Sequence, residues 1–151
     1  MVTTMAEACG VWDVGYEGKS IEELIEVLLD WQVATLVDVR LNAISRKKGF
    51  SKKALKAAVE EAGVGYLHLR ALGNPKDNRA GFAAPGTPAA DEAHERFRCC
   101  IDSAEAHEAL ETVGELARSG GVALLCFEAD HQTCHRSLIA QTLRDQSLLP
   151  A

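Results

Sequence analysis

Residues Val122 to Ser137, V-A-L-L-C-F-E-A-D-H-Q-T-C-H-R-S, restrict the fold of this chain more than any other stretch. Val122 to Phe127 is an unbroken apolar run of strand length. A strand that is apolar at every position needs cover on both faces, as strands in parallel sheets have. Glu128, Asp130, His131, Cys134, His135 and Arg136 then follow within nine residues, and Ser137 to Leu143 reads as a helix. A strand, a polar turn and a helix opening on Cys-His-Arg-Ser predict a site beyond the carboxyl end of that strand. The free N–H groups and positive dipole end of the helix, with Arg136 beside them, favour an anion there.

The rest of the chain supplies the other layers. Val11 to Val14 is a short strand ended by Gly15 and Gly18. Ser20 and Glu23 form a capping box for a helix with Ile21, Leu24, Ile25, Leu28 and Leu29 on one face, ending near Trp31. Val33 to Val39 is a second strand, and Arg40 leaves its end. Ser51 caps a second helix with a stripe of Leu55, Ala58, Val59 and Ala62, closed by Gly63. Val64 to Leu69 is a third strand. Residues 70–90 form a long irregular loop, rich in Pro and Gly, with the length of a lid. Asp91 opens an alanine-rich helical region reaching Arg118, with Phe97, Ile101 and Ala104 on one face and Leu110, Val113 and Ala117 on another. The phase slips near Ala106, where a bend or break is expected. The sequence predicts a flexible lead-in over residues 1–10 and one α/β domain over 11–148. Its expected architecture is a Rossmann-like three-layer sandwich, a mostly parallel sheet of at least four strands with helices on both faces. Such a topology gathers Tyr16 and Glu17, the run Arg40 to Arg46, the run His68 to Asn74 and the run Glu128 to Arg136 at one sheet edge.

Composition narrows the function classes. The chain has 151 residues, enough for one domain with a full core. No apolar run reaches the length of a membrane span, and the first ten residues lack the pattern of a signal peptide. Five cysteines without that signal point to the cytoplasm and to free thiols. The net charge of −6 argues against general nucleic-acid affinity. Yet seven of the sixteen basic residues fall between Asp38 and Glu60, a span with no acidic residue. That segment could attract an anionic small molecule or a nucleic acid.

The candidate chemistry follows from residue type. Cys134 sits at a helix start beside His135 and Arg136, where a thiolate is favoured, and is a candidate nucleophile. His135, Glu17 and Asp38 are candidates for acid/base work. Arg40, Ser45, Arg46, Arg136 and Ser137 are candidate anion ligands, and Tyr16, Asn42, His68, Cys126 and Glu128 candidate pocket residues. His131, Cys134, His135 and Cys126 include zinc-ligand types, but their spacing matches no standard zinc pattern, and no metal or other cofactor is expected. Cys99 and Cys100 read as small buried hydrophobes. Five residues between a Cys and an Arg would mark a tyrosine-phosphatase loop. Counting from Cys126 reaches Gln132 and from Cys134 reaches Ala140, so that pattern fails.

Two resemblances follow from these motifs. Val37-Asp38-Val39-Arg40 and the later Cys126 with Arg136-Ser137 are similar in order to rhodanese-type sulfurtransferases, although the loop from Cys126 to Arg136 is longer and lacks glycine. A fuller likeness joins Gly15-Tyr16-Glu17-Gly18-Lys19-Ser20, Val37-Asp38-Val39-Arg40, Asn42, Ser45-Arg46 and Gly49-Phe50-Ser51-Lys52. It continues through Tyr66-Leu67-His68-Leu69, Leu72-Gly73, Leu125-Cys126-Phe127-Glu128 and Cys134-His135-Arg136-Ser137. Together these resemble the bacterial and archaeal family called domain of unknown function 488, over about residues 11–145. Ala43 stands where that family usually has proline. The resemblance supports the fold and the site residues and implies no substrate.

Three function classes stay open. One is an anion-binding α/β protein, for phosphate, nucleotide or nucleic acid, either a binder alone or a Cys/His-dependent enzyme. Another is a non-catalytic nucleic-acid-binding module using residues 46–56. The third is a rhodanese-like thiol or sulfur-transfer protein. Oligomeric state is open in all three.

Overall fold

The computed structural model describes residues 10–146 and 148. The expected lead-in, residues 1–10, therefore lies almost wholly outside the described residues. Among the described residues four strands form one sheet: β1 (Val11–Gly15), β2 (Val33–Asp38), β3 (Gly65–His68) and β4 (Gly121–Cys126). The order across the sheet is β1-β4-β2-β3, and every pairing is parallel. The last strand in sequence is thus the one inserted between the first two.

Helices cover both faces. α1 (Ile21–Asp30) and α2 (Lys52–Glu61) pack on one side, and α3 (Pro88–Cys100), α4 (Ala104–Ser119) and α5 (Arg136–Asp145) on the other. Alternation along β4 feeds the two cores. Val122, Leu124 and Cys126 face α3, α4 and α5, whereas Ala123 and Leu125 face α1 and α2. This is why the run is apolar throughout. Each fully buried leucine stabilises the fold by roughly 1.5–3 kcal/mol relative to an exposed one.

The capping box of α1 forms as expected, with Ser20 Oγ accepting from Glu23 N–H and Glu23 Oε1 accepting from Ser20 N–H. Gly63 follows α2 at φ +90°, a conformation glycine adopts without a steric penalty. Ser51 precedes α2 without capping it, because its hydroxyl donates to Ser45 O and accepts from Ser45 N–H instead.

Several expectations need correction. Leu55 and Val59 are buried, but Ala58 and Ala62 are half-exposed, so the buried stripe of α2 is narrower than predicted. The segment 70–90 is not irregular. It folds into short 3-10 turns at 70–72, 76–78 and 80–83 that bury Leu72, Asn78 and Phe82. α3 starts at Pro88, not Asp91, because Thr87 Oγ1 accepts from Ala90 N–H and proline suits a first helical turn. The helical break falls at residues 101–103, ahead of Ala106, since Ser103 caps α4 through Ala106 N–H. That break leaves Ala104 exposed. Cys99 is exposed and Cys100 half-buried, so neither is the core residue expected.

Candidate functional site

The carboxyl ends of β1, β2 and β4 open on a cleft of about 90 Å³. Tyr16 reaches it from the end of β1, and Arg40 and Asn42 from the loop after β2. Asn74, Arg79 and Phe82 come from the turns after β3, and Cys126, Phe127 and Glu128 from the end of β4. Thr133, Cys134 and His135 close it ahead of α5. Pockets that enclose drug-sized ligands run to about 300–1,000 Å³. This cleft therefore admits a group of a few heavy atoms and leaves the bulk of a nucleotide outside.

β1 holds the cysteine segment in place beyond the sheet proper. Gly15 pairs with Cys126, Tyr16 N–H donates to Cys126 O at 3.1 Å, and Glu17 N–H donates to Phe127 O at 2.8 Å. Gly15 must be glycine, because a Cβ there would lie 1.6 Å from Glu128 O. Glu17 Oε1 accepts from Ala129 N–H at 3.0 Å and pins the next residue of the loop.

Cys126 and Cys134, expected as free thiols, are joined as a disulfide with sulfurs 2.04 Å apart. Topology brings this about: the chain leaves β4 at Cys126, turns through residues 131–133 and returns to the same strand end before α5. Both cysteines are nearly buried at the cleft wall. Arg136 Nη1 lies 2.9 Å from Cys126 Sγ, and Glu128 Oε1 lies 3.8 Å from it. Burial raises the Glu128 carboxyl above its ordinary range, against the nearby cations of Arg136 and Arg79.

His135 faces the other sulfur. Its Nε2–H donates to Val39 O at 2.8 Å, which leaves Nδ1 as a lone pair 3.5 Å from Cys134 Sγ. Burial pushes its pKa down to about 4, with Arg136 and Arg79 adding to the effect. The imidazole is therefore neutral at neutral pH, and its Nδ1 can accept a hydrogen bond. Cys126 Sγ, Cys134 Sγ and His135 also place their ligand atoms within 4.8 Å of one another. Reduced, these three residues are, among the described residues, the set that could hold a metal.

A second buried network stands beside the cleft. Arg40 donates from Nε to Asp38 Oδ1 at 2.8 Å and from Nη2 to Asp38 Oδ2 at 2.6 Å, and from Nη1 to Phe50 O at 2.6 Å. Tyr66 Oη donates to Asp38 Oδ2 at 2.5 Å. Burial raises the Tyr66 phenol well above its ordinary range, with Asp38 adding to the effect. Burial alone would lower the Arg40 guanidinium, but the Asp38 carboxylate more than reverses this. Asp38 is thus a fixed acceptor between two donors and does not border the cleft.

Seven of the residues singled out from sequence border the cleft: Tyr16, Arg40, Asn42, Cys126, Glu128, Cys134 and His135. Seven others do not. Arg136 is 1% exposed and enclosed by protein, donating from Nε to Asp13 Oδ1 at 2.9 Å and from its other nitrogens to Cys126 Sγ, Glu128 O and Ala129 O. Ser137 Oγ donates to Cys134 O, and the first N–H groups of α5 already donate to Cys134 O and His135 O. Ser45 is held by Ser51 and Lys47, Arg46 is exposed, and His68 Nε2 pairs with Arg40 O on the far side of the loop. Glu17 and Asp38 are placed as described above.

Asn74, Arg79, Phe82 and Thr133 line the cleft without having been singled out. Asn74 fell in a run expected at this edge, but Arg79 and Phe82 sit in a segment whose folding no periodicity announces. Phe50, the aromatic beside the basic run, is fully buried and stacks on Tyr16, so it offers no face to a nucleic-acid base. No helix among the described residues is long and apolar enough to cross a membrane.

The family model described as "Domain of unknown function DUF488" matches residues 20–143 of the chain. No curated protein and no solved structure matches it.

Proposed function

The chain belongs to the DUF488 family, which brings no reaction with it, and from that premise we propose a thiol-dependent enzyme that works on a small molecule through Cys126 and Cys134. One observation carries the reading: two cysteines meet at the wall of one cleft, one beside an arginine and the other beside a neutral histidine. A guanidinium 2.9 Å from sulfur favours the thiolate, so Cys126 is the attacking group. Cys134 was the nucleophile expected from sequence. His135 carries no charge to stabilise a thiolate there, so a reduced Cys134 stays a thiol facing the Nδ1 lone pair, which suits a resolving group.

The chemistry balances as a two-electron exchange. The Cys126 thiolate attacks one sulfur of a substrate disulfide, forming a mixed disulfide and expelling a thiolate. The expelled thiolate takes a proton from solvent, beside the Glu128 carboxyl, whose pKa burial raises. Cys134 attacks Cys126 Sγ as its proton passes to the departing sulfur, releasing the second thiol and joining the two cysteines. A dithiol reductant returns the pair to the starting state. An anion at this edge is compatible with the scheme, as part of the substrate.

The test is trapping. Reduced Cys134→Ser protein treated with bis(2-hydroxyethyl) disulfide is expected to hold one mixed disulfide on Cys126, seen by peptide mass spectrometry. Cys126→Ser is expected to hold none at this site. If neither variant forms an adduct at residues 126 or 134 while Cys99 reacts, the thiol reading fails. A second reading rests on the His135 lone pair that faces the sulfurs. Reduced protein would bind one zinc through Cys126, Cys134 and His135, with Zn–S distances of about 2.3 Å. Zinc uptake that is absent from His135→Gln protein would support it, and absence of uptake by reduced wild type would remove it.

A further inference from the structure

The arginines expected to hold an anion are largely engaged. Arg136 is enclosed by protein acceptors, and Arg40 is paired with Asp38. Donors that face the cleft come instead from the turns after β3. Asn78 Nδ2 donates to Ala93 O on α3 at 3.0 Å and to Asn74 Oδ1 at 2.9 Å. A backbone carbonyl can only accept, so this contact sets the orientation of the Asn78 amide. The Asn78 amide sets that of Asn74 in turn: Oδ1 is the acceptor, and Nδ2 with its two N–H groups is left for the cleft. Asn74 is 3% exposed, and its Nδ2 meets no acceptor among the described residues.

Arg79 borders the same cleft. Its guanidinium has no ion pair or hydrogen bond among the described residues, and its charge is felt at both Glu128 and His135. Beside these donors the mouth carries two exposed apolar side chains, Ile44 and Phe127. A nearly buried amide donor, a free cation and an apolar rim face one small space that ends at the Cys126 sulfur.

We propose that Asn74 Nδ2 and Arg79 receive a carboxylate, and that the substrate is a small disulfide carrying one. This rests on the thiol reading above and gives it a substrate class. An arginine fork with one amide supplies enough N–H groups for two oxygens. A single negative charge also suits a cleft that already contains the Glu128 carboxyl, where a phosphate dianion would meet more repulsion. The carboxylate end is anchored at Asn74 and Arg79, the carbon chain lies on Ile44 and Phe127, and the disulfide is presented to Cys126. Each turnover consumes the Cys126–Cys134 dithiol, breaks one substrate S–S bond and releases two thiols, one of them bearing the carboxylate. The two electrons come from the dithiol.

The experiment compares two disulfides of similar size. Reduced protein is mixed with dithiodiglycolate, which carries carboxylates, or with neutral bis(2-hydroxyethyl) disulfide, and loss of the dithiol is followed. Wild type is expected to prefer dithiodiglycolate, and Arg79→Gln to reduce that preference about tenfold, the size of one charged hydrogen bond. Arg79 is exposed, so this variant does not endanger the fold. Asn74→Asp, which places an oxygen where Nδ2 stood, is expected to reduce it further. Equal rates for the two disulfides in wild type, or a preference untouched by Arg79→Gln, overturn the carboxylate assignment and leave the thiol reading standing. Binding of dithiodiglycolate to oxidised protein, which has no free thiol at the site, separates the two ideas. If Arg79-dependent binding persists while neither disulfide reacts, the thiol reading falls and the carboxylate site stands. If Arg79→Gln leaves that binding unchanged, the carboxylate site falls.

Discussion

His135 is an imidazole kept neutral by its surroundings, and that sets how the protein responds to acid. Its folded pKa lies near 4, below the ordinary value of 6.5, because burial penalises the charged ring. Between those two values the unfolded chain binds a proton that the folded chain refuses. The stabilising contribution is therefore complete above about pH 6.5 and is lost as pH falls towards 4. At about 1.4 kcal/mol per pH unit the loss approaches roughly 3 kcal/mol. His135→Gln keeps an amide N–H for Val39 O and has nothing to titrate. Urea unfolding at pH 7, 5.5 and 4 should show wild type losing more stability than His135→Gln across that range, and parallel profiles would contradict the assignment. The same scale explains what the sequence could disclose about the site. Cys126, Glu128, Cys134 and His135 were legible because they surround one strand end within ten residues. Arg136 was misjudged because its partner Asp13 lies 123 residues earlier, and only the β1–β4 pairing brings the two together. Asn74 was placed at this edge only as part of a run, because its amide is aimed by Asn78, which is itself aimed by Ala93.

The extension of β1 is the element that shapes the cleft wall. Its backbone holds Cys126 and Phe127 by hydrogen bonds, and Glu128 lies flat against Gly15. Gly15→Ala would force the 128–129 backbone away, since the new methyl would lie 1.6 Å from Glu128 O and 2.3 Å from its carbonyl carbon. Overpacking of this kind costs about 1–3 kcal/mol, and here the strain falls on the loop that carries the site. Thermal unfolding is expected to show that loss, and trapping at Cys126 to slow at a temperature where the variant is still folded. An unchanged trapping rate would mean that the loop relaxes without moving the cysteines. Elements with a clear period or cap were legible in sequence: α1 through its capping box, and β4 through its apolar run. The turns at 70–83 were not, because 3-10 turns have too few residues to display a periodicity. What orders them is the burial of Leu72, Asn78 and Phe82 against distant helices.

For the molecule as a whole, the three-layer architecture follows from the order of strands and helices, but the position of β4 within the sheet does not. Any of several strand orders would satisfy the same alternation. The observed order places the last strand in the centre, paired with β1 at a separation of 111 residues, from Val11 to Val122. A chain ending at Gly120 would keep β1, β2 and β3 but leave β1 without a partner and split both cores. Such a chain is expected to show no cooperative melting and to bind hydrophobic dyes, and a cooperative transition in it would show that β2 and β3 with their helices fold alone. At synthesis rates of about 5–20 residues per second, β1 waits roughly 6–20 s for its neighbour to be made. Until then its hydrogen-bonding edges are open, so the hazard to this protein lies in its biosynthesis more than in the finished fold. Conditions that prolong the wait should lower the yield of native protein without altering the stability of the molecules that complete it.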